Sequence, residues 1–175
     1  MNKRFTIIAL VGLGCGVFIL YSFLAPYYYS LNSGEEIELK IHELVNESRD
    51  KSGALPLEFD PKLAQIARAH SQDMIDRDYY SHYTPEGLDA TARGEKVGYN
   101  CFRDFVFYAQ EGIGENLAQP GSRWLSIKDL AEQTVGIWYN SQAHRQNMNE
   151  RDYAREGIGV AFTDWGHAYV TQNLC

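Results

Sequence analysis

Three side chains stand out by type and setting. They are His82 in Tyr80-Ser81-His82-Tyr83, Glu115 in Gly114-Glu115-Asn116-Leu117, and His144 in Ala143-His144-Arg145-Gln146-Asn147-Met148. Imidazole changes charge near neutral pH and serves as acid, base or metal ligand. A carboxylate beside it adds a proton acceptor or an anionic ligand. If folding gathers the three, several chemistries are open. His82 and His144, with or without the carboxylate, suit a divalent metal, zinc before others, and leave a position for water that the metal would acidify. Glu115 and a histidine would serve peptide-type hydrolysis as general base and acid. Ser141, three residues before His144, would be the nucleophile, although the strained Gly-x-Ser-x-Gly elbow is absent. The third chemistry is binding without turnover, of an extracellular protein, lipid or glycan. A structural role for Glu115 also stands, in which it accepts backbone N–H bonds and pins Gly112 and Gly114.

The elements that would position these groups follow from pattern. Residues 31–175 read as one domain. Ile37, Ile41, Leu44, Val45 and Ser48 form one helical stripe in a helix starting near Glu35 and stopped by Gly53. Asp60-Pro61 opens a second helix, with Leu63, Ile66, Ala67, His70 and Met74 inward. On that stripe His70 reads as a satisfied core histidine in preference to a ligand. Residues 79–87 break the pattern and place His82 on a loop, where functional residues concentrate. A short helix is expected over 88–96. The aromatic run 102–108 is β-prone and reads as a core strand or the lining of a groove. Glu111-Gly112-Ile113-Gly114-Glu115 reads as a glycine-hinged acidic loop, with Asn116 bracing it. Ser126 through Asp129 has capping-box spacing before a helix whose inner face includes Leu130, Thr134 and Trp138. Strands over 157–162 and 167–174 form a closing hairpin. Helices first and an antiparallel pair last give an α+β domain.

Before this domain, residues 5–24 carry no charge. As a helix they would span about 30 Å, the thickness of a bilayer's hydrocarbon core. Lys3 and Arg4 precede the run and the first charges after it are acidic, so the N-terminus should stay inside and the domain outside. Residues 1–30 thus read as a single-pass plasma-membrane anchor, followed by the polar linker 30–34. Secretion after signal cleavage is the alternative, but Phe23 and Pro26 flank the candidate cut after Ala25 poorly. Cys101 and Cys175 fall in the exported part, where disulfides persist, and pairing them would tie down the C-terminal segment. Two free thiols are the alternative. Subtracting Lys3 and Arg4 from the 16 basic residues leaves 14 against 23 acidic ones, a net charge of −9 for the domain. A surface that acidic repels phosphate polymers, so nucleic acid is not an expected partner.

The order of motifs resembles the CAP superfamily of cysteine-rich secretory proteins, wasp-venom antigens and plant pathogenesis-related proteins, its prokaryotic SCP-type branch above all. The matching pieces are Ala69 through Met74, Tyr80-Ser81-His82, Gly114 through Leu117, Trp138 through Ser141 with Ala143 through Asn147, Gly157 through Val160, and Tyr169 through Gln172. The resemblance implies a three-layer α–β–α sandwich around a small antiparallel sheet. It also implies a cleft in which His82, Glu115 and His144 take the places of the family's first histidine, first glutamate and second histidine. The position of the second glutamate is Ser141, and Arg145 stands where eukaryotic members carry an aromatic residue. Family members act mainly as binding or effector proteins.

Overall fold

The computed structural model describes residues 16–104 and 109–175, with side chains from residue 34 onward. The chain divides into two units, Met1–Ser33 and Gly34–Cys175. Most of the uncharged stretch 5–24 lies outside the described residues, and among the described residues no helix is long and apolar enough to cross a membrane.

The first described helix, α1, is Gly16–Ser52, so the polar stretch 30–34, expected as a linker, is helical instead. Nothing between Ser30 and Gly34 forbids this: serine, asparagine and glycine weaken a helix without excluding it. Within the second unit, Ile37, Ile41 and Val45 are buried one helical turn apart, as their spacing predicts. The helix stops at Gly53, whose φ of 72° suits a residue without Cβ.

Strand β1 (Glu58–Phe59) leads into α2 (Pro61–Asp76), which Asp60 caps through bonds from the Lys62 and Leu63 amides. Helix α3 (Ala90–Lys96) is capped by Asp89 and is followed by β2 (Phe102–Asp104), β3 (Ala109–Glu111) and β4 (Gly114–Ala118). Ser126 caps α4 (Ile127–Asn140), α5 is Gln142–Met148, and β5 (Arg155–Phe162) and β6 (Ala168–Leu174) end the chain.

The main sheet has the order β1-β5-β6-β4. It is mixed, because β1 runs parallel to β5 while the other two pairings are antiparallel, so the expectation of a purely antiparallel sheet is corrected. Strand alternation distributes the faces. Ile158, Val170, Leu174 and Ala118 pack with Ile37, Ile41, Leu130 and Trp138 in one core. On the other face, α2 lies almost on the β5 backbone: a Cβ on Gly159 would sit 2.0 Å from the Arg68 amide nitrogen, and one on Gly157 2.0 Å from that of Ala64. The glycine pair sets that layer spacing. The Trp138 indole donates to the Leu117 carbonyl at 3.0 Å, so this tryptophan is a core residue.

Strands β2 and β3 form a separate two-stranded ribbon. Phe102 is 53% exposed, which corrects the core-strand reading at that position, and residues 105–108 lie outside the described residues. The Cys101–Cys175 disulfide, with Cα atoms 5.7 Å apart, fastens this region to the end of β6.

Candidate functional site

Glu115 is on β4 and not on a loop as expected. It pairs with Asn173 of β6, and the hydrogen-bond ladder fixes its direction. The acidic loop closes earlier, because Ile113 and Gly114 already lead into the sheet edge. The alternation that places Asn116 on the α4–α5 face sends Glu115 to the α2–α3 face.

There its carboxylate is 5% exposed and held by side chains, not by the loop amides considered from sequence. His82 Nδ1 lies 2.9 Å from Oε1. The Arg93 guanidinium donates to Oε2 through Nη2. The same guanidinium donates through Nη1 to the carbonyls of His82 at 2.9 Å and Leu88 at 3.0 Å, so one arginine holds both the carboxylate and the loop bearing His82. An ionised carboxylate only accepts, so His82 carries its proton on Nδ1 and presents Nε2 outward. Its side chain is 48% exposed.

His70 lies behind the pair. It is buried, its Nε2 is 3.0 Å from the Ser81 carbonyl, and the same nitrogen is 4.0 Å from Glu115 Oε2. It is therefore the satisfied core histidine its spacing suggested, yet it also backs the carboxylate. Burial holds its pKa below the ordinary imidazole value, against the opposing pull of Glu115.

His144 projects from the first turns of α5. Burial, and next the charge of His82, hold its pKa below the ordinary imidazole value. Its Nδ1 is buried without a hydrogen-bond partner among the described residues. A buried polar atom left without a partner is expensive, and a ligand or water that supplied one would recover that energy.

A buried amide chain sets the position of α5. Asn116 donates through Nδ2 to the His144 carbonyl at 3.1 Å and to Gln172 Oε1 at 2.8 Å. Asn147 donates to Asn116 Oδ1 at 3.0 Å and to the Glu115 carbonyl at 3.1 Å. Beyond Gln172, Glu156 accepts from the Gln172 amide and from His42 Nδ1, both at 2.6 Å. Asn116 thus braces the site without facing a ligand, as expected, although from a strand. Arg93 and Asn147 were not singled out by sequence reasoning. Arg93 meets Glu115 across 22 residues of chain, and no local pattern announces that contact.

Ser141 caps the start of α5 and its side chain makes no capping bond. No hydrogen bond joins it to His144 among the described residues, so the serine–histidine pairing considered from sequence is not formed. A resident metal does not fit the residues present. No three His, Cys, Asp or Glu side chains converge on one point among the described residues. The carboxylate that would complete His82 and His144 already carries a guanidinium, whose charge opposes a cation.

Residues 42–174 match the family model described as the cysteine-rich secretory protein family, CAP. The chain belongs to this family. Among its relatives, the uncharacterised protein YkwD of Bacillus subtilis (strain 168) is 31% identical over 77% of this chain and 46% of its own length. The uncharacterised membrane protein YlbC of the same organism is 32% identical over 78% of this chain and 34% of its own. An extracellular protein from Bacillus anthracis str. Ames containing an SCP domain shares the fold with a TM-score of 0.64 and 26% identity, over 81% of this chain and 40% of that one. This CAP chain therefore spans less than half the length of the curated relatives it matches.

Proposed function

We propose that this CAP chain is an outward-facing, membrane-tethered binding module whose cleft receives a polar group of an extracellular protein, lipid or glycan between His82 and His144. One observation carries the reading: the Glu115 carboxylate is fully engaged by His82 and Arg93 while His144 Nδ1 waits, buried, for a partner. A carboxylate clamped by a guanidinium and 5% exposed orients its neighbours. Its low exposure and the guanidinium on Oε2 disfavour general-base attack, which needs the base within hydrogen-bond distance of the proton it takes. His82 Nε2 and the His144 ring remain to meet the ligand.

The tether rests on the uncharged stretch 5–24 behind Lys3 and Arg4, and on a relative that carries the name of a membrane protein. The alternative, a domain released by signal cleavage, leaves the cleft unchanged. A zinc ion reaching the cleft would find two imidazoles as ligands, which makes it a visitor and not a resident.

The test exposes full-length chain to arrays of glycans, phospholipids and extracellular peptides, beside the His82→Ala/His144→Ala double variant. Ligand retained by the wild type and lost by the double variant is the expected result. Peptide cleavage that disappears in Glu115→Gln would overturn the reading in favour of a hydrolase.

A further inference from the structure

We infer that the cavity between α2 and α3 is a binding site for an organic monoanion, a carboxylate on a compact apolar body. The cavity has a volume of about 480 Å³, within the range of small-molecule sites. Its wall combines Lys62, Arg93 and Lys96 with Ile66, Val97 and the ring of Tyr99.

Three facts give this wall a charge preference. First, it is cationic in a domain that is acidic as a whole. Lys62 and Lys96 form no ion pair among the described residues, although the domain carries many more acids than bases. Second, the one acid of the wall, Asp73, is already engaged: Arg77 Nη2 and the Tyr79 hydroxyl each donate to its Oδ2 at 2.5 Å. Third, the Arg93 side chain is 10% exposed, and its Nε is buried without a hydrogen-bond partner. The other nitrogens of that guanidinium bind Glu115, His82 and Leu88, so Nε is its one donor without a partner among the described residues.

The same facts fix the class of ligand. An oxyanion satisfies the buried donor and neutralises the lysines together. One negative charge suits the site better than two, because Asp73 and Glu115 both lie near Arg93. The Tyr99 hydroxyl donates to Asp60 at 2.8 Å, so its ring offers only apolar surface and the ligand body must be apolar too. The inference does not depend on what binds at His82 and His144, although Arg93, in this wall, also holds Glu115 and the His82 carbonyl.

The test is calorimetry on the full chain in neutral nanodiscs, with empty nanodiscs as blank. The probes are 1-naphthoate and its uncharged analogue 1-naphthylmethanol, applied to wild type and to Lys62→Glu/Lys96→Glu. Both lysines are exposed, so the variant keeps the fold, which circular dichroism checks. The expected result is one saturable site for naphthoate, at least tenfold weaker binding of the alcohol, and at least a tenfold loss on double charge reversal. Amide shifts should centre on α2 and α3. Equal binding of alcohol and anion, unchanged affinity in the variant, absence of saturable binding at millimolar probe, or shifts centred on Val135 and Tyr139 in the α1–α4 groove would each overturn the assignment.

Discussion

Replacing Arg93 by methionine separates a bracing role for Glu115 from a catalytic one. The change leaves a carboxylate that is 5% exposed without its cation, and strips the His82 and Leu88 carbonyls of their donor. Breaking a buried ion pair from one side costs about 3–5 kcal/mol, because the remaining charge stays desolvated. Removing both charges with Arg93→Met/Glu115→Leu should recover the ion-pair part of that loss, since an apolar pair of similar volume carries no desolvation penalty, while the two carbonyls stay without their donor. Urea unfolding provides the assay. Trp138 is fully buried, whereas Trp124 and Trp165 are 81% and 84% exposed, so the fluorescence change reports mainly the core. The reasoning fails if Arg93→Met costs less than about 1 kcal/mol, the level of an exposed pair. It fails equally if the double variant is as unstable as the two single losses added.

Other consequences can be measured on the same chain. Gly159→Ala forces a Cβ to within 2.0 Å of the Arg68 backbone nitrogen, where no side chain can swing away, and should lower stability by about 3 kcal/mol, on the order of 10 °C in Tm. Cys175→Ser opens a cross-link of sequence separation 74 and should remove about 4 kcal/mol by loop entropy, while wild type without reductant should show no alkylation at Cys101 or Cys175. His70 and His144 both have folded pKa values depressed below 6.5, chiefly by burial, so the unfolded chain binds more protons just below that value. Their contribution is present above pH 6.5 and is lost as pH falls through the folded values, and His144→Gln should flatten that slope in denaturation curves recorded across pH. Burial of Glu38 raises its carboxyl above 4.5, which acts in the opposite sense at lower pH.

Much of this architecture was legible because local chemistry and tertiary demand agree. Asp60-Pro61 and Ser126 start helices where capping chemistry says they should, and the stripes of α1, α2 and α4 face the core their periodicity marks. What was missed at the site shares a cause. Glu115 sits in a glycine-rich stretch with weak strand propensity, and only pairing with β6, some sixty residues on, makes it a strand. Sheet membership of this kind depends on a partner that no local window contains. Arg93 escaped notice for the same reason, since a single arginine on a short helix acquires meaning only when the sheet delivers a carboxylate to it. The resemblance named His82, Glu115 and His144, and two of them meet directly, but it was silent about the guanidinium that decides what the carboxylate can do.

The central claim is that Glu115 fixes the His82 ring so that Nε2 faces the cleft. Long-range proton–nitrogen correlation spectra of ¹⁵N-histidine-labelled chain at pH 7 test it directly. The account predicts that His82 is protonated at Nδ1 with the shift of a nitrogen bonded to a carboxylate, and that this signature collapses in Glu115→Gln. A His82 ring that averages between tautomers, unchanged by that substitution, would contradict it.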